Sequence, residues 1–148
     1  IEPNTPNIIF NDAEQGLIIS KDLNLRLKEE LIWGSELFLT ASAAVSILIY
    51  LDNKTVLRRG VLGEGEFTPG KICQQSISTN KTIHLVKTEL YPGKEEFNSV
   101  AKELPSVIIH PIKKRGLVIL GGWSERCFSR SDEKWLSGWC DKIERLYQ

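Results

Sequence analysis

Hydrophobic residues recur along this chain with two different periods, and the longer period predicts a helix near its beginning. Between positions 21 and 42 a large apolar residue appears every three or four positions. The residues in question are Leu23, Leu27, Leu31, Trp33, Leu37 and Phe38. This spacing places them on one face of an amphipathic helix, and Ser20 is a residue type suited to cap its first turn. We therefore predict a long helix over residues 21–42.

A second amphipathic helix is predicted at the end of the chain. Ser129 and Asp132 have the spacing of a capping box, in which two residues near a helix start satisfy each other's backbone amides. Apolar residues then recur at helical spacing, at Trp135, Leu136, Trp139, Cys140, Ile143 and Tyr147. Burying one large apolar side chain contributes roughly 1.5 to 3 kcal/mol. Both helical stripes therefore need a surface to pack on.

Between the helices, β-branched and aromatic runs predict strands. These runs lie at residues 44–51, 55–62, 82–90, 106–112 and 116–121. Short polar turns at 52–54 and 113–115 join two pairs of runs, so each pair predicts an antiparallel hairpin.

This element order predicts an α+β fold, in which an antiparallel sheet of five or six strands carries both long helices on one face. Segments 71–78 and 94–102 look like short helical stretches and must cover the opposite face. A small-molecule cleft forms most readily there. Residues 1–19, which contain Pro3 and Pro6 and no periodicity, are assigned to the remnant of a linker, and residues 20–148 to one domain.

Charge and length exclude several classes of function. The chain has 19 basic and 19 acidic side chains, so no overall positive field attracts nucleic acid, and we expect no nucleic-acid partner. Its longest apolar stretch, residues 41–51, is much shorter than the roughly 20 residues that span a bilayer. The chain begins at Ile1 and contains no Met. We therefore expect a processed fragment, with any membrane anchor in the segment that precedes it.

Candidate metal ligands and nucleophiles are few. His84 and His110 lie inside predicted strands and belong to no spacing typical of a metal or haem site, so we expect no metal site. An odd number of cysteines without a C-x-x-C spacing indicates a reducing compartment. Cys140 lies on an apolar stripe and is interpreted as a core residue. Cys127 is the candidate reactive thiol, because the adjacent Arg126 favours a thiolate. No catalytic residue is assigned.

Aromatic residues and arginines near predicted loops are the candidates for a partner or ligand surface. They are Arg59, Tyr91, Phe97, Trp123 and Arg126. Residues of these types are the usual anchors of protein interfaces. For the aromatic ones, packing as a lid on the core is the alternative. Glu95 and Glu96 are interpreted as part of a solvated charged loop.

The end of the chain resembles the end of a GAF domain. Residues 116–120 form an apolar strand that is followed by glycines, and residues 126–129 lead from it to Asp132 and Glu133 at the start of the last helix. In a GAF domain the penultimate strand likewise ends in glycine and leads into a capped terminal helix. The whole predicted element order agrees with this GAF-like fold.

Several segments look more specifically like the soluble part of a family of cyanobacteria and chloroplasts, the B-type subunits for cofactor assembly of complex C. These segments are Glu36-Leu37, Thr40-Ala41, Leu57-Arg58-Arg59-Gly60, and residues 91–97, 126–129 and 132–135. The resemblance runs from about Leu23 to Leu146. It implies two membrane helices ahead of the domain, which would then lie on the cytoplasmic or stromal face of the thylakoid membrane.

The same resemblance implies a role in photosynthesis, in the covalent attachment of haem to cytochrome b of the cytochrome bf complex. Sister assembly subunits and apocytochrome b would be the partners. Neither histidine has the surroundings of an axial ligand. We therefore expect a protein-interaction scaffold without enzymatic activity, which binds no cofactor tightly and contacts haem only transiently.

Two alternatives remain open. One is a sensory GAF domain that binds a small ligand, although a bilin chromophore would need a histidine beside its attachment cysteine, and Cys127 is followed by Phe128. The other is a methionine sulfoxide reductase of the GAF fold, which relies on several cysteines.

Overall fold

A six-stranded sheet forms the middle layer of the protein. The computed structural model describes residues 15–147. Its elements are β1 (Gln15–Ile19), α1 (Leu25–Ala41), β2 (Ala44–Leu51), β3 (Lys54–Val61), α2 (Lys71–Thr79), β4 (Ile83–Leu85), β5 (Ser106–Ile112), β6 (Gly116–Gly122) and α3 (Arg130–Leu146). The strands lie in the order β1-β3-β2-β6-β5-β4, and all neighbours are antiparallel. The predicted α+β class and strand number are confirmed.

Both predicted hairpins are present, and their turns have the same backbone geometry. Asp52 and Asn53 connect β2 to β3 with φ angles of 46° and 66°, and Lys113 and Lys114 connect β5 to β6 with φ angles of 36° and 64°. Two successive left-handed residues match the right-handed twist of the strands that they join. These turns fix the register of the central part of the sheet.

The two long helices pack on one face of the sheet, as the sequence predicts. The amide of Asn24, at the start of α1, donates to the carbonyl of Leu146 at the end of α3, with an N–O distance of 3.1 Å. Between these ends the Trp139 ring lies 5.2 Å from the Phe38 ring. The apolar residues under the helices include Leu27, Leu31, Ile47, Ile108, Leu120, Leu136 and Ile143.

Three apolar residues of the predicted helical stripes are exposed instead of buried. Trp33 is 62%, Leu37 is 44% and Trp135 is 59% exposed. All three lie on the outer side of the two-helix layer, because each helix is wide enough to carry an apolar stripe beyond its line of contact with the sheet.

The opposite face of the sheet is covered by α2 and by the irregular segment 88–104. Phe67, Cys73, Phe97, Val100 and Leu104 pack there against strand residues and are at most 6% exposed. The predicted covering of this face by segments 71–78 and 94–102 is confirmed. The sheet therefore has a separate apolar core on each side.

Some predicted boundaries differ from the structure. The first helix begins at Leu25, because Asn24 rather than Ser20 caps it by accepting from the Leu27 amide at 2.9 Å. The strand predicted at 82–90 is only β4, after which Thr88–Leu90 forms a 3₁₀ helix. The amide of Thr88 donates to the carbonyl of Pro105 there, which draws the chain away from the sheet.

The predicted linker also differs in part from the structure. Residues 15–19 form β1, which pairs with β3 over five residues, from Gln15–Val61 to Ile19–Leu57. Residues 1–14 lie outside the described residues. Over residues 15–147, no helix has both the length and the apolar character needed to cross a bilayer.

Candidate functional site

A cleft of about 440 Å³ opens between the irregular segment 88–105 and the loop that follows β6. It lies on the sheet face opposite the two long helices, where the sequence predicts a cleft. Its lining residues are Thr88, Glu89, Lys94, Glu95, Phe97, Asn98, Glu103, Leu104, Pro105 and Glu125. We refer to it as the acidic cleft.

The walls of the acidic cleft depend on two tight packing arrangements. Gly93 adopts a φ of 84°, which starts the short 3₁₀ helix Lys94–Phe97 and turns Phe97 into the core, where it is 2% exposed. Gly121 lies under Leu104, and a side chain at this glycine would overlap Leu104. Leu104 and Phe97 therefore form an apolar floor that the sheet supports from below.

The rim of the acidic cleft is strongly negative. It carries the glutamates Glu89, Glu95, Glu103 and Glu125, against the single ammonium of Lys94. Glu89 pairs with Lys87 at 3.4 Å. Within residues 15–147, the other three glutamates take part in no ion pair. Their charges are therefore free to interact with a molecule in the cleft.

Thr88 lines the acidic cleft and has an unsatisfied hydroxyl. The residue is 6% exposed, and its Oγ1 is buried without a hydrogen-bond partner. Buried polar groups in folded proteins are nearly always paired, because an unpaired one loses its hydration without compensation. The hydroxyl is thus an acceptor that a donor in the cleft can satisfy.

Four of the five predicted surface residues lie in or next to the segments that form this cleft. Phe97 is its floor, and Tyr91 is half-buried against the same core. Trp123 is half-buried, and Arg126 is exposed with a left-handed φ of 54° and an amide that donates to the carbonyl of Val86 at 2.8 Å. Both lie within two residues of Glu125 in the sequence. The predicted role of these residues in binding stays a prediction.

Arg59 does not belong to this group, which corrects its assignment to the same surface. It donates to the carbonyl of Ile32 at 2.7 Å and to the hydroxyl of Ser35 at 3.1 Å, and it pairs with Glu36 at 3.5 Å. Its side chain is only 18% exposed. Strand β3 lies on the other side of the sheet from the β5–β4 edge, so Arg59 connects β3 to α1 instead.

The three cysteines lie in different environments. Cys73 of α2 is completely buried on the cleft side of the sheet, whereas Cys140 of α3 is 2% exposed on the helix side, as its interpretation as a core residue requires. Burial raises the pKa of both thiols well above the usual range. Cys127 is half-buried, and its Sγ lies 3.4 Å from the Oγ of Ser106. Its reactivity stays a prediction.

Both histidines lie on the helix side of the sheet, away from the acidic cleft. The Nδ1 of His84 is 2.6 Å from Glu133 at the start of α3, and the Nε2 of His84 is buried without a partner. His110 alternates with Ile108 and Ile112, which pack under the helices, and burial lowers its pKa. Neither histidine lines the cleft.

The sequence analysis missed the part that Glu96 plays. Its carboxylate accepts from the amides of Gly70, Ile72 and Cys73 at 2.8, 2.9 and 3.2 Å, which satisfies the first turn of α2. Helix α2 has no side-chain cap of its own, because Gly70 stands at its N-cap. That glycine was the sequence signal that a carboxylate from elsewhere was needed.

Leu90 is a further missed residue. It is 64% exposed and lies one position after Glu89 of the cleft rim. An exposed leucine beside a charged cleft provides apolar contact area next to the carboxylates.

Comparison with known sequences gives one family and one curated relative. The profile of the CCB2/CCB4 family, described as B-type subunits for cofactor assembly of complex C, matches residues 1–143. The chain is 22% identical over 139 residues to the chloroplastic CCB4 protein of cofactor assembly of complex C from Arabidopsis thaliana. That match covers 86% of this chain and 47% of the relative, so the chain spans about half of the relative's length.

Comparison with solved structures confirms the GAF-like fold. A type II free methionine-R-sulfoxide reductase from Thermoplasma acidophilum superposes with a TM-score of 0.66 at 14% identity, over 82% of this chain and 92% of that one. A GAF domain superposes with a TM-score of 0.61 at 18% identity, over 82% of this chain and 73% of that one. At such identities the likeness concerns the fold alone.

Proposed function

This chain belongs to the CCB2/CCB4 family of cofactor assembly of complex C, and we propose that it serves cofactor assembly as a protein-interaction scaffold. In this proposal it presents apocytochrome b and docks sister assembly subunits while haem is attached covalently to the cytochrome bf complex. The domain lies on the cytoplasmic or stromal face of the thylakoid membrane, and membrane segments outside this chain hold it there. Haem is the cargo of this process and contacts the domain transiently.

The observation that supports a scaffold is the chemistry of the acidic cleft. Among the described residues that line it there is no histidine and no cysteine, and its rim is made of glutamates above an apolar floor. The space beneath is filled by buried side chains such as Phe67, Phe97 and Leu104. Such a surface has the charge and shape to recognise another molecule and offers no nucleophile to transform it.

The positions of the cysteines favour the scaffold over a reductase. Cys73 and Cys140 lie on opposite sides of the sheet. A disulfide needs the two Cα atoms within about 7 Å of each other, and an intact sheet between them prevents that approach. A thiol relay through these two residues is therefore incompatible with the folded domain.

A complementation experiment tests the proposed function. In a photosynthetic strain that lacks the gene for this chain, we expect cytochrome b to lose its covalently bound haem, which in-gel haem staining after denaturing electrophoresis detects. The intact gene restores the stain. Normal haem attachment in the deletion strain would reject the proposal.

Two variants of the restored gene locate the surface. Trp123→Ala or Arg126→Glu should lower the recovery of partner proteins and the haem stain. Trp135→Ala changes an equally large, exposed ring on the two-helix layer and should restore both in full. Circular dichroism of the purified variants checks that each one folds.

A further inference from the structure

We propose that the acidic cleft receives a basic segment of a protein partner, with an arginine or lysine side chain entering between the glutamates. This inference rests on the proposed function, because a scaffold needs a protein to hold, and it adds the chemistry of the part that is held.

Charge is the first argument. Glu95, Glu103 and Glu125 lie around one opening and have no ion-pair partner within residues 15–147, and Lys94 is the only cation that lines the cleft. Like charges grouped in this way repel each other, and a cation that enters between them relieves the repulsion. Complementary charge also steers a partner to the site before contact.

The arrangement of the carboxylates favours an organic cation over a metal ion. Over residues 15–147, no three or more of the side chains that ligate metals come close enough to hold one ion. The glutamates are instead spread around a cleft of about 440 Å³ with Phe97, Leu104 and Pro105 among its lining. Arginine and lysine match this combination, because an aliphatic stem carries their charge and can lie along apolar surface.

Thr88 and Leu90 provide the remaining contacts. The buried Oγ1 of Thr88 lacks a donor, and the N–H groups of a guanidinium or ammonium are donors that have no acceptor of their own. Leu90, 64% exposed beside the rim, offers apolar contact to a residue that flanks the basic side chain. The cleft thus matches a short peptide segment better than a single free amine.

Membrane proteins present segments of this chemistry. Their short loops on the cytoplasmic side carry an excess of lysine and arginine. The partner in the proposed function, apocytochrome b, is expected to offer such loops to a domain on that side of the membrane. The acidic cleft would then hold one of them during assembly.

A binding experiment with the full chain tests this inference. The probe is a fluorescein-labelled peptide, Gly-Arg-Leu-Arg-Gly, followed by fluorescence anisotropy at low salt, with Gly-Glu-Leu-Glu-Gly as the peptide of opposite charge. The cleft variant combines Glu95→Gln, Glu103→Gln and Glu125→Gln. The control variant combines Glu29→Gln, Glu64→Gln and Glu66→Gln, three exposed glutamates outside the cleft, and changes the net charge by the same amount.

We expect the cleft variant to bind the arginine peptide about tenfold more weakly than the unchanged chain, and the control variant to bind within about twofold of it. The acidic peptide should not bind. Equal affinities of the two variants would overturn the inference, because only the overall charge would then matter. Mg²⁺ or argininamide binding as tightly as the peptide would overturn it as well, in favour of an inorganic ion or a free amine.

The substituted glutamates make no ion pair in the described chain, so the cleft variant should fold; thermal unfolding checks this. If it does not fold, Glu125→Gln alone replaces it, and the expected result is a weaker salt dependence of peptide binding. Failure of the inference differs from failure of the proposed function. If haem attachment needs the chain but the cleft variant binds the peptide normally, only the cleft assignment is wrong. If the cleft variant loses the peptide but haem attachment does not need the chain, only the assembly role is wrong.

Discussion

Arg59 stabilises the contact between β3 and α1 through oxygen atoms of Ile32, Ser35 and Glu36. A hydrogen bond to a charged group contributes about 1.5 to 3 kcal/mol net, and removing the guanidinium leaves its acceptors without a donor. We therefore expect Arg59→Ala to lower the free energy of unfolding by about 1 to 3 kcal/mol.

The control is Arg126→Ala, which removes an exposed arginine whose side chain makes no hydrogen bond or ion pair among the described residues. Its effect should stay within about 0.5 kcal/mol. Urea unfolding followed by circular dichroism measures both variants. Equal losses of stability would contradict the structural role of Arg59.

The three thiols should differ in their reaction with an aromatic disulfide reagent. Cys73 and Cys140 are buried, with pKa values raised by that burial, and only the thiolate attacks such a reagent. In the native chain we expect one thiol to react quickly, and Cys127→Ser to remove that fast phase. All three should react after denaturation. A second fast thiol in the native chain would show that one of the buried sites opens.

The three helices begin in different ways, and only one beginning is clear from the sequence alone. Ser129 and Asp132 form the predicted capping box of α3, with N–O distances of 2.9 and 3.1 Å. Helix α1 uses Asn24, four positions after the predicted cap. Helix α2 depends on Glu96, which reaches it from another segment. A local cap can be predicted, but a distant one needs the fold.

Two helical glycines should respond in opposite ways to substitution by alanine. A methyl group at Gly34 of α1 would overlap the indole of Trp139, whereas Gly138 of α3 has open space around its Cα. In a helix interior, alanine is favoured over glycine by about 1 kcal/mol. Gly138→Ala should therefore raise the free energy of unfolding by up to about 1 kcal/mol.

Gly34→Ala should lower the free energy of unfolding by about 1 to 3 kcal/mol, because the overlap forces Trp139 to move. That movement also endangers the bond that its Nε1 donates to Glu30 at 3.0 Å. Chemical unfolding of the pair gives the sign of each effect directly. A stabilising Gly34→Ala would mean that the two helices do not pack as described.

At the scale of the whole molecule, the end of the chain is tied back to the β2–β3 turn. The Tyr147 hydroxyl donates to Asp52 at 2.7 Å, and Arg115 pairs with the same carboxylate at 3.2 Å. The Tyr147 hydrogen bond first, and Arg115 second, lower the pKa of Asp52. The contribution of this carboxylate to stability is therefore complete above its unfolded pKa of about 4 and is lost as the pH falls through the lower folded pKa.

We expect Asp52→Asn to reduce stability at neutral pH and to flatten the further loss below about pH 4. Glu64→Gln, at an exposed position, should leave the pH profile unchanged. Urea unfolding at a series of pH values measures both. An Asp52→Asn profile as steep as that of the unchanged chain would show that other carboxyls dominate the acid side.

The sheet divides the molecule into a packing side and a recognition side. The two long helices bury one face, and on the other face the irregular segment 88–105 combines with the loop after β6 to form the acidic cleft. The sequence identified much of this region correctly as a surface, through Tyr91, Trp123 and Arg126. It did not identify the glutamates as the lining, because each one alone looks like an ordinary solvated charge.

The sequence by itself determined the elements that have a period or a local signal: the two amphipathic helices, the two hairpins, the α3 cap and the family. These follow from interactions between residues close together in the chain. Only the tertiary structure decided that Arg59 supports α1, that Glu96 caps α2, and that Glu125 joins Glu89, Glu95 and Glu103 around one cleft. Those residues lie in segments without a period or far apart in sequence, so their contacts exist only once the sheet has brought the segments together.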